Sequence, residues 1–265
     1  MTATAVEQDV PYFDQYSVGY LTVVASSLLF YVNNYWLMRF YTPEIVKSSA
    51  KREWKWRNIA NSLIHSFITG IGACLCFYYT PEMRKDLVGP INLASQHLIS
   101  FSIGYFTYDM LDMAMNDRKS KTYELLLHHF MVILCFSTAV TGRTYQGYSL
   151  MALLVEVNSI FLHVRQLMIL TDFSKNSVAY RVNNSLNMGT FVVCRILTLG
   201  WMSRWLIHNR NDTSSFIFYL SGTSLTIIMG MNTTLLHRLL KADYWQYPKP
   251  ATTPTQQTEE NRKIR

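Results

Sequence analysis

The chain has 265 residues, of which 49% are hydrophobic, 14% are aromatic and only 15% are charged, and its net charge is +7. Soluble domains carry about 25% charged residues, so this composition excludes an ordinary soluble protein and indicates a membrane protein. Because the basic residues lie mostly between apolar stretches, the positive charge indicates attraction to anionic lipid headgroups rather than binding to nucleic acid.

Seven apolar stretches follow one another along the chain, each near the ~20 residues that cross a bilayer as a helix. We predict an all-α, polytopic bundle of six to seven transmembrane helices, at Val18–Met38, Ile59–Tyr79, Ile91–Met115, Glu124–Val140, Tyr148–Leu170, Leu186–Trp205 and Phe216–Leu236. The first stretch is interpreted as an uncleaved helix, because residues 1–17 contain no Lys or Arg and the apolar run is too long for a signal peptide. Cleavage there would leave six helices.

The basic residues predict the orientation of these helices. Of the 24 Lys and Arg residues, 17 lie after the first, third and fifth stretches or in the C-terminal tail, and 5 lie in the other loops. Basic loops remain in the cytosol, so we predict an external N-terminus and a cytosolic C-terminus. The predicted organisation is an extracellular segment at 1–17, a first helix with a basic cytosolic loop at 18–51, the main domain at 52–240 and a disordered cytosolic tail at 241–265.

Two carboxylates and two histidines interrupt neighbouring apolar stretches near the predicted cytosolic face. Asp109 and Asp112 end the third stretch, and His128 and His129 begin the fourth. At a rise of 1.5 Å per residue, all four lie within ~10 Å of that face. Ionisable residues inside a membrane are costly and mark a functional site by default. We therefore predict a catalytic role for His128, His129 and Asp109, with packing as the alternative. Asp112 lies near a helix end, where capping the helix or reaching towards water is the alternative to a role in the site.

Further polar residues occur at similar depths in the other stretches. We predict that they line a lipid-binding cavity or, alternatively, only pack the helices together through hydrogen bonds. Glu156 needs a partner within the membrane, and Arg195 is the predicted one. The set comprises His65, Asp112, Glu156, Asn158, Asn187 and Arg195.

The number and spacing of the histidines limit which metal cofactors the chain could bind. The chain has 7 His residues, with one adjacent pair and no His-x-x-His-His, which excludes the His-rich boxes of diiron lipid hydroxylases and desaturases. A single zinc ion held by His128, Asp109 and a third ligand is chemically feasible, but no spacing motif supports it. We predict neither a metal nor another cofactor.

Several of these motifs, in this order, resemble the TLC-domain membrane proteins, which include the ceramide synthases and the translocating-chain-associated proteins. The resemblance covers residues 52–240 and points to the subgroup of TLC-domain-containing proteins one and two, the first also called calfacilitin. It is carried by Trp56-Arg57-Asn58 through His65-Ser66, Gly104-Tyr105-Phe106 with Asp109 and Asp112, Glu124 to His129, Leu154 to Asn158, and Tyr180 to Asn183. It implies a helical barrel open to the membrane, with a polar centre near the histidine pair.

In ceramide synthases the histidine pair acts in acyl transfer together with a later His-Asp-x-x-Asp motif. The matching stretch here, Val155–Ser159, lacks both aspartates, which argues against ceramide synthesis. The subgroup instead implies a regulator of phospholipid acyl composition and membrane fluidity that limits incorporation of long-chain polyunsaturated fatty acids and so promotes rigidity. Whether this role is enzymatic stays open.

Two alternatives remain. One is a phospholipid-remodelling acyltransferase that uses the His/Asp site, and the other is a regulator of another membrane protein such as a calcium channel. The expected partners are membrane lipids, with phosphatidylethanolamine or acyl-CoA as the named candidates. The resemblance implies the plasma membrane, although Arg262-Lys263-Ile264-Arg265 is similar to an endoplasmic reticulum retrieval tail.

Overall fold

The computed structural model describes residues 12–243 and Trp245, without the side chains of residues 12–17 and 121. The predicted extracellular segment 1–17 and disordered tail 241–265 lie outside the described residues, apart from a few positions at their inner ends. Backbone contacts divide the chain into two units, Met1–Met229 and Gly230–Arg265.

The described part of the chain is helical and contains no strand. Two of its helical segments, Asn33–Leu37 and Phe191–Leu197, are π-helical, and a 3₁₀ turn covers Glu44–Val46. The α-helices are α1 Tyr12–Val32, α2 Met38–Tyr41, α3 Ala50–Tyr79, α4 Glu82–Lys85, α5 Leu93–Asn116, α6 Ser120–Gly142, α7 Gln146–Leu153, α8 Val155–Leu170, α9 Val178–Thr190, α10 Thr198–His208 and α11 Ser215–Asp243.

Four helical runs within the described residues are long and apolar enough to cross a membrane: 50–79, 122–142, 146–170 and 178–208. The protein is therefore a multi-pass membrane protein, as predicted from its composition. The number of six to seven crossings stays a prediction, as does the orientation of the helices.

Two helices begin well before the predicted apolar stretches. α3 begins at Ala50 rather than Ile59, and α9 begins at Val178 rather than Leu186. The first turns of α3 are charged, so hydropathy excludes them, but hydrogen bonds hold them in place: Arg52 donates through Nη2 to the carbonyl oxygen of Leu170 at 2.7 Å and to Asp172 at 2.6 Å.

The contacts of α3 define two opposite ends of the first unit. At its start, Lys51 donates to Asp117 at 2.9 Å, which holds the pKa of that carboxyl below its ordinary value. At its end, Thr80 accepts a hydrogen bond from Asn92 at 2.6 Å. We call the end marked by Lys51 and Arg52 the basic face, and the end marked by Thr80 and Asn92 the far face.

The centre of the first unit is α5, which packs against α1, α3, α6 and α7. Its approach to α1 is unusually close at Gly104, where an added Cβ would overlap the carbonyl oxygen of Val23 and lie 2.7 Å from the Cβ of Ser26. Two serine hydroxyls of α1 use this closeness, because Ser26 donates to the Phe101 carbonyl at 2.7 Å and Ser27 to the Gly104 carbonyl at 2.8 Å.

Candidate functional site

One side of α3 carries a row of polar side chains that is buried against other helices. In a membrane this side must face protein, since lipid offers no hydrogen-bond partner. The spacing of three and four residues places the members on one face of the helix. The row comprises Asn58, Asn61, Ser62, His65, Ser66 and Thr69, all of them buried.

The start of this row meets the two aspartates of α5. Asn58 donates to Asp109 at 2.6 Å and to Asp112 at 3.1 Å, and the indole of Trp54 donates to Asp112 at 3.0 Å. Asp109 and Asp112 are only 3% and 1% exposed, so these amide and indole groups stand where water would otherwise hydrate the carboxylates. We call Trp54, Asn58, Asp109, Asp112 and His129 the carboxylate cluster.

The histidine pair of α6 divides between two environments. His129 is 4% exposed, and its Nε2 lies 3.5 Å from Asp109 Oδ2. The neighbouring His128 is half-buried, and its ring packs edge-on against Phe106. A carboxylate beside an imidazole orients the ring, which suits both proton transfer and the binding of a polar headgroup.

His65 lies deeper along α3, inside a group of aromatic rings. Its imidazole stacks on Tyr105, with the ring centroids 3.8 Å apart, and packs edge-on against Phe106. Its Nε2 is buried and has no hydrogen-bond partner among the described residues. The ring of Phe106 also lies near His129, at a centroid distance of 5.1 Å, so Phe106 lies between His65 and the histidine of the carboxylate cluster.

A second polar group, the arginine cluster, joins α8 and α9 to the π-helical segment 191–197. Arg195 donates to Asn158 Oδ1 at 2.7 Å and to Ser159 Oγ at 2.8 Å. Asn158 donates in turn to the side-chain oxygen of Asn187 at 3.0 Å and to Thr190 at 3.0 Å. The arginine cluster is therefore a hydrogen-bonded link between helices, in which the buried Asn187 Nδ2 has no hydrogen-bond partner among the described residues.

A π-helical segment supplies one residue of the arginine cluster, and another π-helical segment supplies a residue that contacts the carboxylate cluster. Asn34, in the segment 33–37, lies 2.5 Å from the Tyr108 hydroxyl and 3.5 Å from Asp112. Arg195 belongs to the segment 191–197. π-Helical turns are rare and frequently occur at functional sites, and here both aim a polar side chain at another helix.

Most of the predicted site residues fall into two groups. Asp109, Asp112 and His129 come together, with His128 edge-on against His129 at a centroid distance of 5.5 Å and His65 beyond Phe106. Asn158, Asn187 and Arg195 form the arginine cluster.

The expectations about two charged residues have different outcomes. Glu156 accepts a hydrogen bond from Ser66 at 2.6 Å and also acts electrostatically on Arg195, so its pairing with Arg195 stays a prediction. Asp112 does not reach towards water, because four side-chain donors, from Asn34, Trp54, Asn58 and Asn116, surround its carboxylate. The early start of α3 brings one of them, Trp54, into reach.

Among the described residues, no group of three or more His, Cys, Asp and Glu side chains is placed to hold a metal ion. The zinc alternative needs a third ligand beside His128 and Asp109, and no such set is found among these residues. The chemistry available in the carboxylate cluster is that of a carboxylate, an imidazole and amide donors.

A sequence model of the TLC domain matches residues 55–241, which include both clusters except Trp54. The chain belongs to the TLC-domain family. TLC domain-containing protein 2 of Danio rerio is 43% identical over 224 residues, covering 84% of this chain and 89% of the relative. The Homo sapiens protein of that name is 35% identical over 248 residues, or 92% of each chain. TLC domain-containing protein 1 of Homo sapiens is 29% identical over 208 residues, 78% of this chain and 83% of the relative. Membership of the TLC-domain family indicates a role connected with membrane lipids.

Several side chains that hold the aspartates are not among the predicted site residues. They are Asn34, Trp54 and Asn58. The row of polar residues on α3 contained the missing signal, because an apolar helix with all its amides and hydroxyls on one face must bury that face against protein.

Proposed function

We propose that this TLC-domain protein controls the acyl composition of membrane phospholipids by limiting the incorporation of long-chain polyunsaturated fatty acids, and thereby keeps the membrane rigid. The motif resemblance to the TLC-domain-containing proteins one and two suggests this role. We propose the plasma membrane as its location, with the endoplasmic reticulum as the alternative, and membrane lipids as its partners.

The observation that carries the proposal is the buried contact between Asp109 and His129, with 3.5 Å between Oδ2 and Nε2. Both residues lie within apolar helices, where a carboxylate beside an imidazole is costly unless it serves a ligand or a reaction. The groups that reach such a site laterally from the membrane are those of lipids. Phosphatidylethanolamine carries an ammonium group, which the aspartates would bind.

The same contact favours a second candidate, a phospholipid-remodelling acyltransferase. In that reaction His129, oriented by Asp109, takes the proton of a lysophospholipid hydroxyl while the hydroxyl oxygen attacks the thioester carbonyl of acyl-CoA. The carbon–oxygen bond forms, the carbon–sulfur bond breaks, and the imidazolium returns the proton to the departing thiolate. Asn58 keeps the Asp109 carboxylate in position through the 2.6 Å hydrogen bond.

The test is lipid analysis of cells that lack the protein and are rescued with variants. Loss of the protein should raise polyunsaturated chains in phosphatidylethanolamine and increase fluidity, and the wild type should reverse both. His129→Gln keeps a hydrogen-bonding side chain but removes the titrating nitrogen, and Asp109→Asn removes the charge. Both variants should reach normal abundance and fail to restore acyl composition.

His97→Gln is the matched control, since His97 makes the same kind of hydrogen bond, 2.9 Å to Thr22, away from the carboxylate cluster. It should rescue fully. Unchanged phospholipids in cells that lack the protein, under polyunsaturated feeding, would contradict the proposed role itself. Full rescue by His129→Gln and Asp109→Asn would contradict the acyltransferase and leave binding of lipid or of a partner such as a channel.

A further inference from the structure

A hollow lies apart from both clusters, between α6, α7, α10 and the first part of α11, and it is open on one side. It begins at Met131, one helical turn beyond His128, and extends towards the far face. Its wall includes Met131, Cys135, Phe136, Tyr148, Met202 and Trp205.

Several polar side chains in the wall of this apolar hollow bond to one another or to the backbone. The thiol of Cys135 lies 3.2 Å from the hydroxyl of Ser224, and Tyr148 donates to the Met202 carbonyl at 3.2 Å. A polar ligand would therefore find no free partner at these atoms. The wall suits a hydrocarbon chain, which requires none.

A smaller, polar hollow adjoins the apolar one at the end of α10. It is lined by Trp201, Arg204, Trp205, His208 and Asn209, so the indole of Trp205 is a wall of both hollows. Arg204 and His208 are at positions i and i+4 and therefore project from one side of α10. This end of α10 lies at the far face, because α9 begins next to the loop that holds Asp172 at the basic face.

Arg204 is an exposed cation with no hydrogen bond, ion pair or ring contact among the described residues. Its neighbour Arg210 differs, since the guanidinium carbon of Arg210 lies 4.5 Å from the ring centroid of Phe218. An unpaired guanidinium beside a histidine and two indoles matches a phosphate at the level of the lipid headgroups, where Trp is enriched.

We propose that the two hollows together bind one glycerophospholipid, with its phosphate at Arg204 and His208 and one acyl chain in the apolar hollow. The lipid then presents its headgroup to the far face, whereas Asp109 and His129 lie towards the basic face. Only the end of its chain approaches the histidine pair, so this site holds an intact lipid and does not expose its ester to the carboxylate cluster. The inference goes beyond the proposed function and does not depend on it.

The experiment uses the full chain in lipid nanodiscs of phosphatidylcholine and phosphatidylethanolamine. A phosphatidylcholine with a photoactivatable diazirine in one acyl chain is added and irradiated, and the labelled residues are mapped by mass spectrometry. Labelling should concentrate on the wall of the apolar hollow, including Met131, Cys135 and Met202. A diacylglycerol with the same chain, which lacks the phosphate, should label these residues at least about threefold less.

Two variants probe the two ends of the bound lipid. Arg204→Gln should lower labelling by the phospholipid about threefold, without lowering that by the diacylglycerol. Ser221→Phe, which fills the apolar hollow, should lower labelling by both probes about tenfold. Arg210→Gln and Thr223→Phe are the matched controls, because Arg210 does not line either hollow and Thr223 is exposed on α11. Both controls should label like the wild type.

Three results would overturn the proposal. Labelling spread evenly over exposed helix surfaces would show that the hollow takes no chain. A Ser221→Phe variant that folds and labels normally would show the same. Equal labelling by both probes, unaffected by Arg204→Gln, would show that Arg204 only extends towards water. Circular dichroism and gel filtration of each variant confirm that it is folded before its labelling is compared.

Discussion

Replacing Gly104 by Ala should separate α1 from α5 and destabilise the first unit. The new methyl group would overlap the carbonyl oxygen of Val23 and lie 2.7 Å from the Cβ of Ser26. Neither neighbour can rotate away, because one is backbone and the other is fixed next to it. The two helices must therefore move apart where they are held by the hydroxyls of Ser26 and Ser27.

The size of the effect follows from these contacts. Forcing a methyl group into a closely packed interface costs about 1–3 kcal/mol. Stretching the hydrogen bonds of Ser26 and Ser27, at 2.7 and 2.8 Å, removes two interactions of about 0.6 kcal/mol each in a membrane. The total is about 2–4 kcal/mol. Alanine returns about 1 kcal/mol through its higher helix propensity.

Gly200→Ala is the matched control, because Gly200 is also helical and an added Cβ there meets nothing within 4 Å. It gains the same helix propensity without the overlap, so the difference between the two variants isolates the packing cost. Purified protein is unfolded by a sodium dodecyl sulfate titration that is followed by circular dichroism. Gly104→Ala should unfold about 2–4 kcal/mol more easily than Gly200→Ala. Equal stability would refute the close α1–α5 contact.

Three further changes test other parts of the structure. Asn58→Leu leaves Asp109 and Asp112 without their shared amide donor, so unfolding should become easier by about 1–3 kcal/mol in the same titration, and an unchanged midpoint would contradict the carboxylate cluster. Lys51→Met removes the group that lowers the pKa of Asp117, so the melting temperature should fall slightly at neutral pH. Because a lowered carboxyl pKa stabilises only above the ordinary value of 3.8, the difference should vanish as the pH falls through the lowered pKa, and a difference that persists in acid would refute this origin. For orientation, an N-terminal tag should be labelled in intact cells and a C-terminal tag only after permeabilisation, so labelling of both from one side would contradict an odd number of crossings.

Much of the fold could be predicted because the bilayer restricts what a spanning segment can be. Leu93–Asn116 follows the predicted stretch Ile91–Met115 within two residues at each end, since both ends coincide with polar residues. The start of α3 was missed for the opposite reason. Its first turns continue the helix beyond the apolar stretch, and long-range hydrogen bonds such as that from Arg52 to the Leu170 carbonyl are invisible in local hydropathy.

The candidate site was predictable where a charge interrupts an apolar run. Asp109 and His129 were found in this way. The short loop between their two helices indicated that both lie near the same membrane face. Trp54 and Asn58 were not, because they precede the predicted stretch and are common at membrane interfaces. For Glu156, charge alone indicated Arg195, whereas the hydrogen bond from the Ser66 hydroxyl could not be read from the sequence.

The π-helical segment 191–197 determines the direction in which the side chains of the following helix, α10, point. A π turn contains more residues than the 3.6 of an α turn. The side chains of α10 are therefore rotated about the helix axis, relative to where continuous α-helical winding from α9 would place them. Removing one residue there would restore regular winding and rotate α10 by about 100° about its axis. Met202 and Trp205 would then leave the wall of the apolar hollow, and Arg204 would leave its side of the helix. One residue in this segment therefore determines which side chains of α10 face the protein and which face the lipid.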